Sequence, residues 1–275
     1  MKKPPIRWFF VAIDNEKTFT TLVKIYIIGI GVIMKKEQLI FDQRYVGSLS
    51  LRNVSKFYGE NNEIKALDDV TLQLFTGQFV VILGASGSGK STLLNIIGGM
   101  DSVSQGSVNF AGVDITRLSE KMFAEYRREV VGFIFQFYNL MPNLTALENV
   151  EIAELPGQML ATTAIKSVGL EDRQYNFPSE MSGGEQQRVA IARAIVKDPK
   201  ILLCDEPTGA LDSKTGKKII KLLQEMNKDK DKIVVIVTHN AEIAKIADRV
   251  IKLSDGKIVS DITQKKPMSI EEIEL

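Results

Sequence analysis

Residues 84–92 are Gly84-Ala85-Ser86-Gly87-Ser88-Gly89-Lys90-Ser91-Thr92, and they follow directly after an apolar run at residues 80–83. The residues that come next, Leu93-Leu94-Asn95-Ile96-Ile97, have helical character. A strand, a glycine-rich turn and a helix in this order match the phosphate-loop pattern G-x-x-x-x-G-K-[ST]. A purely structural turn of glycine and serine is the alternative, and the flanking strand and helix argue against it. The stretch therefore predicts a nucleotide-binding α/β domain.

The residue types in this turn suit the binding of phosphate groups. Glycines at positions 84, 87 and 89 allow backbone N–H groups to surround the phosphates without a Cβ in the way. The helix that is predicted to begin near Lys90 adds the positive end of its dipole. We expect Lys90 to reach the β- and γ-phosphates and the Ser91 hydroxyl to ligate Mg²⁺.

Three further apolar runs, at residues 131–135, 201–204 and 233–237, alternate with longer amphipathic stretches. Such alternation indicates strand–helix units, and unbroken apolar runs are typical of parallel strands covered on both faces. Ligands of such sheets bind at the carboxyl ends of the strands. The polar residues that directly follow the three runs are Gln136, Asp205 with Glu206, and Thr238 with His239. The sequence thus predicts one site at one edge of one sheet.

The two acidic residues that follow the run at 201–204 have different predicted roles. Asp205 suits a hard cation, which prefers oxygen ligands, and Glu206 is then free to act as the general base that activates water. Acidic pairs usually lie on solvated surfaces, but the apolar strand directly before this pair favours a site. His239, at the matching end of the run at 233–237, is the only histidine in the chain.

A second glycine-containing turn begins another predicted helix. Its residues are Ser182-Gly183-Gly184-Glu185-Gln186-Gln187, and the helix runs through Arg188 to about Val196. Apolar residues recur there at helical spacing, and Asp198-Pro199 marks the end. A serine and two glycines at a helix start can bind an anion, but the same residues also form an ordinary serine cap. From the residues alone both interpretations stay open.

Residues 181–188, Met-Ser-Gly-Gly-Glu-Gln-Gln-Arg, resemble the LSGGQ signature of the nucleotide-binding domain of ABC transporters. The resemblance extends over about residues 49–258. It implies that Tyr58, in the segment Lys56-Phe-Tyr58-Gly59, stacks on the adenine ring. It also implies that Gln136 contacts Mg²⁺ or water and that His239 is the γ-phosphate switch.

The resemblance implies a fold, cofactors and a partner subunit. The fold is a RecA-like phosphate-loop core with a mainly parallel sheet, an N-terminal antiparallel β subdomain and an inserted α-helical subdomain at about residues 137–195. Two such cassettes would enclose two ATP molecules, each with Mg²⁺, head to tail, so a homodimer is expected. The residues expected to act on the partner's ATP or to touch the opposite subunit are Ser182, Gly183, Gly184, Glu185 and Asp212.

Three segments, at residues 98–101, 135–150 and 204–212, resemble the subfamily that drives macrolide, lipoprotein and antimicrobial-peptide exporters. This likeness implies a separate integral-membrane permease with a large external domain, and a peripheral position on the cytoplasmic face of the cell membrane. The implied function is export or extrusion of a peptide, lipoprotein or drug. The alternative is an ABC ATPase that signals or transmits force through a permease without transporting a substrate.

The composition weighs against other classes of function. The chain has 35 basic and 34 acidic residues and a formal net charge of +1, so there is no basic excess of the kind that marks nucleic-acid binding. A soluble ABC ATPase acting on ribosomes or DNA is further disfavoured, because such relatives usually carry two cassettes or a long coiled-coil insertion. The single cysteine, Cys204, leaves no disulfide framework and fits a reducing cytosol.

The two ends of the chain are predicted to lie outside the ATP-binding domain, which we place at residues 49–260. Residues 1–48 form an N-terminal extension whose apolar stretches, at 8–13 and 22–33, are shorter than the about 20 residues that a spanning helix needs. Since Met34 precedes the polar residues Lys35-Lys36-Glu37, we hypothesise that translation starts there and that residues 1–33 are not part of the native protein. Residues 261–275 are predicted to be a solvated, partly mobile tail.

Overall fold

The computed structural model describes residues 47–227 and 231–275. The strands of these ranges are β1 (Ser48–Tyr58), β2 (Ile64–Phe75), β3 (Phe79–Leu83), β4 (Gln105–Phe110), β5 (Val113–Asp114), β6 (Val131–Ile134), β7 (Ile201–Asp205), β8 (Ile233–Thr238), β9 (Arg249–Ser254) and β10 (Lys257–Thr263). The α-helices are α1 (Lys90–Ile97), α2 (Glu120–Glu129), α3 (Ala146–Glu151), α4 (Ala161–Ser167), α5 (Gly183–Ile195), α6 (Ser213–Glu225) and α7 (Ala241–Ala244). Short 3₁₀ helices are Ile115–Arg117, Glu171–Arg173, Pro178–Glu180 and Ile270–Glu272.

The central sheet has the strand order β10-β9-β3-β8-β7-β6, in which β9, β3, β8, β7 and β6 run parallel and β10 is antiparallel to β9. Its strands are apolar on both faces because each face is covered. Val81 packs into a core with α5 and α6, whereas its neighbour Val80 packs into a second core with α1 and the antiparallel sheet. The mainly parallel core predicted from the apolar runs is confirmed.

A second sheet, with the order β2-β1-β4-β5, is antiparallel throughout and lies before and after the phosphate-loop strand in sequence. In β2 the residues Leu67, Val70, Leu72 and Leu74 are buried while the intervening positions are largely exposed, as expected for a sheet with one face on a core. This is the predicted N-terminal antiparallel subdomain. It brings the end of β1 close to the phosphate-loop helix α1.

The helical insertion between β6 and β7 contains α3, α4 and α5, which pack on one another. Thr145 and Glu148 form a capping box at the start of α3. The fully buried Asn149 accepts a hydrogen bond from the backbone N–H of Met141 and donates to the carbonyls of Met141, Leu144 and Thr145. These bonds hold the segment after β6 against the helices, so the inserted α-helical subdomain is confirmed.

The prediction of a solvated carboxyl-terminal tail is wrong. β10 continues to Thr263, and Ile270 and Ile273 are buried, with 6% and 1% of their surfaces exposed. The apolar residues at 270, 273 and 275 pack beside α6, while the acidic residues between them face solvent. The charge of the segment concealed this pattern, because four acidic and two basic residues are interspersed with the apolar ones.

We expect Ile273→Ala to lower the free energy of unfolding by about 3 kcal/mol, since a buried isoleucine loses its contacts and leaves a cavity. Glu274→Ala, at an exposed neighbouring position, should change it by less than about 0.5 kcal/mol. Urea denaturation of both variants measures the difference. Equal midpoints for the two variants would show that the tail does not contribute to the core in solution.

The apolar stretches at 8–13 and 22–33, the proposed start at Met34 and most of the N-terminal extension lie outside the described residues. Across residues 47–227 and 231–275, none of the helices has the length and apolar character needed to cross a membrane.

Candidate active site

The phosphate loop connects β3 to α1 through glycines that the fold requires for two different reasons. Gly89 has φ +99°, and a Cβ there would overlap the carbonyl oxygen of Ala66 in β2. A Cβ at Gly84 would lie 2.5 Å from the carbonyl oxygen of Leu253. Gly87 has φ +79° but faces open space. The first two glycines therefore allow close backbone packing, and the third permits the turn itself.

The loop presents groups that suit an anion. Gly89 is the N-cap of α1 and supplies no side-chain cap, so the first amides of the helix have no side-chain acceptor at this end. Among the described residues, the buried Ser88 Oγ has no hydrogen-bond partner. Lys90 is almost completely buried, and its Nζ donates to the carbonyl oxygen of Ala85 at 2.7 Å. A cation, free amides and an unpaired hydroxyl fit phosphate oxygens.

Asp205, the last residue of β7, lies beside the start of α1. Burial raises the pKa of this carboxyl group, as does the charge of Glu206, while a hydrogen bond with Ser91 and the charge of Lys90 act in the opposite direction. Ser91 and Asp205 thus bring two hard oxygen donors together, which fits Mg²⁺. Gln136 follows the neighbouring strand β6 and has an exposed side chain. Within the described ranges no group of three or more His, Cys, Asp or Glu side chains is arranged to hold a metal ion.

Glu206 is held in a defined position at the ends of β7 and β8. Its backbone lies in the left-handed region, with φ +50°, and its N–H donates to the carbonyl oxygen of Val237 at 2.9 Å. Thr238 Oγ1 donates to Glu206 Oε2 at 2.9 Å, and the backbone N–H of His239 donates to Glu206 Oε1 at 2.9 Å. His239 Nδ1 lies 2.6 Å from the same Oε1. The predicted base and the predicted switch histidine are therefore in direct contact.

Thr238 is placed at a strand end by the sequence, but its hydrogen bond with Glu206 was not predicted. It follows the apolar run at 233–237, but its hydroxyl also accepts a hydrogen bond from the backbone N–H of Asn240 at 3.0 Å. One hydroxyl therefore links Glu206 to the turn that carries His239. The only signal in the sequence was the position of Thr238 at a strand end.

The second glycine-containing turn adopts the serine-cap geometry that the sequence left open. Ser182 is the N-cap of α5, and its backbone N–H and Oγ donate to Glu185 Oε2 at 2.8 and 2.9 Å. The backbone hydrogen bond from Ser182 lowers the pKa of Glu185. A Cβ at Gly183 would lie 2.7 Å from the Tyr138 hydroxyl, and one at Gly184 would lie 3.3 Å from Leu211. The glycines therefore also allow packing of α5 against its neighbours.

The signature residues and the phosphate loop are not joined within the subunit. In the part of the chain that the structure describes, no hydrogen bond or ion pair connects Ser182, Gly183, Gly184 or Glu185 with residues 84–92. Asp212 is the N-cap of α6 and accepts a hydrogen bond from the backbone N–H of Thr215 at 3.0 Å. Hydrogen bonds with the side chain and with the backbone N–H of Thr215 lower the pKa of Asp212. Tyr58 ends β1 with a partly exposed ring, and its hydroxyl donates to Asp101 Oδ2 at 2.6 Å.

Comparison with known proteins identifies the family to which a chain with this site belongs. The protein-family model described as ABC transporter matches residues 67–209, which include the phosphate loop, the signature turn and the acidic pair. The chain belongs to the ABC transporter family. It is an ATP-binding protein of that family and an ATP hydrolase of the ABC type, as the signature at 181–188 indicates.

This ABC cassette is 46% identical over 222 residues to the uncharacterized ABC transporter ATP-binding protein MJ0796 of Methanocaldococcus jannaschii, covering 76% of this chain and 94% of that one. It is 45% identical to the macrolide export ATP-binding/permease protein MacB of Photorhabdus laumondii, covering 78% of this chain but 34% of that one. A solved dimer of the ATP-binding cassette MJ0796, in a post-hydrolysis state with ADP and Pi, has a TM-score of 0.75 and 43% identity, covering 79% of this chain and 99% of that one. The cassette thus spans about a third of the exporter relative's length.

We expect Asp205→Asn to stabilise the nucleotide-free cassette at pH 7. A carboxyl whose pKa is raised by burial destabilises the folded state when it is ionised, and this cost is present above its folded pKa. The stabilisation should therefore disappear as the pH falls below the ordinary aspartate pKa of about 4. Thermal unfolding at several pH values measures the effect.

Asp231→Asn is the matched control with the opposite sign. Burial disfavours ionisation of Asp231, but hydrogen bonds from Lys232 and Lys200 outweigh it and the pKa is lowered. Its ionised form therefore stabilises the fold above the ordinary pKa, and the contribution is lost as the pH falls through the lowered value. Asp231→Asn should lower the midpoint at pH 7. If Asp205→Asn also lowers the midpoint of thermal unfolding at pH 7, the ionised Asp205 carboxyl group does not destabilise the folded state.

Proposed function

We propose that this cassette binds MgATP at the carboxyl edge of its parallel sheet, closes with a second copy around two ATP molecules, and uses hydrolysis to drive a separate membrane permease. The observation that carries the proposal is the placement of Glu206. Its carboxylate is held by hydrogen bonds from Thr238 and from the backbone of His239. Glu206 directly follows Asp205, whose carboxyl group is hydrogen-bonded to Ser91 of the phosphate loop. A phosphate site, a cation site and a base are then adjacent.

The chain's own groups bind and orient the triphosphate. The amides of residues 84–92 and the α1 N-terminus surround the phosphates, and Lys90 exchanges its bond with the Ala85 carbonyl for phosphate oxygens. Ser91, Asp205 and Gln136 would hold Mg²⁺, which supplies neutralisation of the charge on the phosphate oxygens when it is bound. Tyr58 stacks on the adenine ring.

Glu206 acts as the general base. It accepts a proton from a water molecule as the water oxygen bonds to the γ-phosphorus and the bond from that phosphorus to the β–γ bridging oxygen breaks. Thr238 and the His239 backbone hold the carboxylate by two hydrogen bonds, so little reorientation is needed. The His239 side chain is exposed, with 77% of its surface accessible, and can exchange its contact with Glu206 for the γ-phosphate.

A second subunit supplies signature residues to the phosphate loop, because the signature residues of the same chain are not bonded to it. Ser182, Gly183, Gly184 and Glu185 lie at the start of α5 and have no bond to the phosphate loop of their own chain. Facing the ATP of a partner, this helix start is an anion site, and Asp212 lies in the loop that touches the opposite subunit. The dimer of the MJ0796 cassette supports this arrangement. ATP stabilises the closed dimer only through its higher affinity for that state, and hydrolysis removes this preference.

The permease is proposed from the relatives and from one surface. MacB of Photorhabdus laumondii is named as an ATP-binding and permease protein, which supports a membrane permease as partner. A large external domain on that permease, and a position of the cassette on the cytoplasmic face of the membrane, are parts of the same proposal. Phe137 and Met141, directly after Gln136, expose 76% and 52% of their surfaces. Large apolar side chains so exposed favour a protein contact. We propose extrusion of a peptide, lipoprotein or drug, with signalling through the permease as the second candidate.

The test is capture of the tagged cassette from its native membranes in mild detergent, with and without ATP, followed by identification of the partner. We expect recovery of a permease with a large external domain. Phe137→Ser should lose this partner, whereas Val259→Ser, which removes an apolar side chain with 62% exposure elsewhere, should retain it. Recovery of ribosomes, or of no membrane protein under either condition, would overturn the permease assignment. A permease whose cells show a signalling defect without substrate accumulation would favour the second candidate.

A further inference from the structure

Tyr58, Asp101 and Lys56 form a bonded cluster beside the phosphate-loop helix. Asp101 Oδ2 accepts a hydrogen bond from the Tyr58 hydroxyl at 2.6 Å, and Asp101 Oδ1 accepts one from Lys56 Nζ at 2.6 Å. Lys56 Nζ also donates to the Ser102 carbonyl at 2.8 Å and lies 5.0 Å from the centroid of the Tyr58 ring. The exposed aromatic ring is therefore held at its hydroxyl and faces a fixed cation.

Two partners of the Tyr58 hydroxyl, Asp101 and Thr92, are connected to α1, the helix that follows the phosphate loop. The backbone N–H groups of Met100 and Asp101 donate to the Asn95 carbonyl in α1, so the turn with Asp101 is attached to the end of that helix. The Thr92 side chain, in the first turn of α1, forms another hydrogen bond with the Tyr58 hydroxyl. A ring from the antiparallel sheet is thus connected to both ends of α1.

The cluster is built to stay together. Lys56 is buried, with 8% of its surface exposed, so its ammonium group needs the carboxylate of Asp101 and the carbonyl of Ser102 as partners. Burial opposes ionisation of Asp101, but hydrogen bonds from Lys56 and Tyr58 outweigh it and lower its pKa. Asp101 is therefore a carboxylate at neutral pH and a strong acceptor for the Tyr58 hydroxyl.

We propose that Asp101, supported by Lys56, is a positioning residue that fixes the Tyr58 ring for stacking on the base, at a set distance from the phosphate loop. The proposal rests on the proposed nucleotide site and adds a determinant of base affinity to it. An aromatic side chain that is already ordered loses less rotational freedom on binding than a free one. The cluster should therefore strengthen the binding of the base and leave phosphate binding unaffected.

The test compares dissociation constants for MgADP and for magnesium pyrophosphate, which has the phosphates but no base, by isothermal titration. Tyr58→Phe retains the ring and the Lys56–Asp101 pair and removes only the hydroxyl. We expect this variant to raise the dissociation constant of MgADP about fivefold, the effect of one net hydrogen bond. The dissociation constant of magnesium pyrophosphate should change less than about twofold. Asp101→Ala should have at least the same selective effect. The effects of the two changes should be less than additive in the double variant, because both remove the bond between Asp101 and Tyr58 and only the bond with Thr92 is lost in addition.

The outcomes separate this proposal from the proposed site. If the unchanged protein binds neither MgADP nor pyrophosphate, the nucleotide site itself fails. If it binds both, and Tyr58→Phe leaves MgADP unchanged or weakens both ligands equally, the positioning role is overturned. Should Asp101→Ala fail to fold because Lys56 is left unpaired, Tyr58→Phe alone decides the question.

Discussion

Glu206→Gln is expected to reduce the rate of ATP hydrolysis by about a thousandfold, within the range of a general base, while ATP binding persists. Glutamine keeps the length and planar shape of the side chain and can still accept one of the bonds from Thr238 and the His239 backbone. It cannot accept a proton from water at neutral pH. ATP should therefore remain bound, and the closed dimer should accumulate.

Single-turnover hydrolysis and light scattering with MgATP measure the two effects. Glu225→Gln, at an exposed position near the end of α6, makes the same chemical change away from the site and should hydrolyse ATP at the normal rate as it returns to monomers. Rapid hydrolysis by Glu206→Gln would mean that another group is the base. Slow hydrolysis without a stable dimer would support Glu206 as the base but contradict the proposed closure of the dimer around ATP.

Gly89→Ala is expected to lower the free energy of unfolding by at least about 3 kcal/mol and to abolish nucleotide binding. Alanine at φ +99° costs about 1–2 kcal/mol of backbone strain. Its Cβ would also overlap the Ala66 carbonyl and lie 3.0 Å from Leu67 Cδ2. Because β2 is paired along its length with β1, the carbonyl cannot move away easily, and the start of α1 must shift instead.

Gly87→Ala is the matched control for this prediction. Gly87 has the same kind of backbone, with φ +79°, but a Cβ there meets no atom within 4 Å. We expect a loss of about 1 kcal/mol, from backbone strain alone. Urea denaturation without nucleotide compares the two variants, so that contacts with phosphates do not enter. An equal loss in both would show that close packing against β2 is not what requires glycine at position 89.

The fold class and the edge of the sheet that carries the site could be predicted because both depend on local patterns. The apolar runs before Gln136, Asp205 and Thr238 became β6, β7 and β8, with bounds shifted by about one residue. The phosphate loop was predictable for the same reason, since one strand, one turn and one helix start contain it. The carboxyl-terminal tail was mispredicted because its charge was counted without the spacing of Ile270 and Ile273.

The sequence by itself determined the parallel core, the phosphate loop and the types of residue at the strand ends. Only the tertiary structure decided how these groups meet. The pairing of Asp205 with Val237 across β7 and β8 brings Glu206 to Thr238 and His239, which are more than thirty residues away in the chain. The contact of Tyr58 with Asp101 joins residues 43 positions apart. Such contacts depend on sheet register and on the packing of α1, and no local pattern in the sequence specifies either.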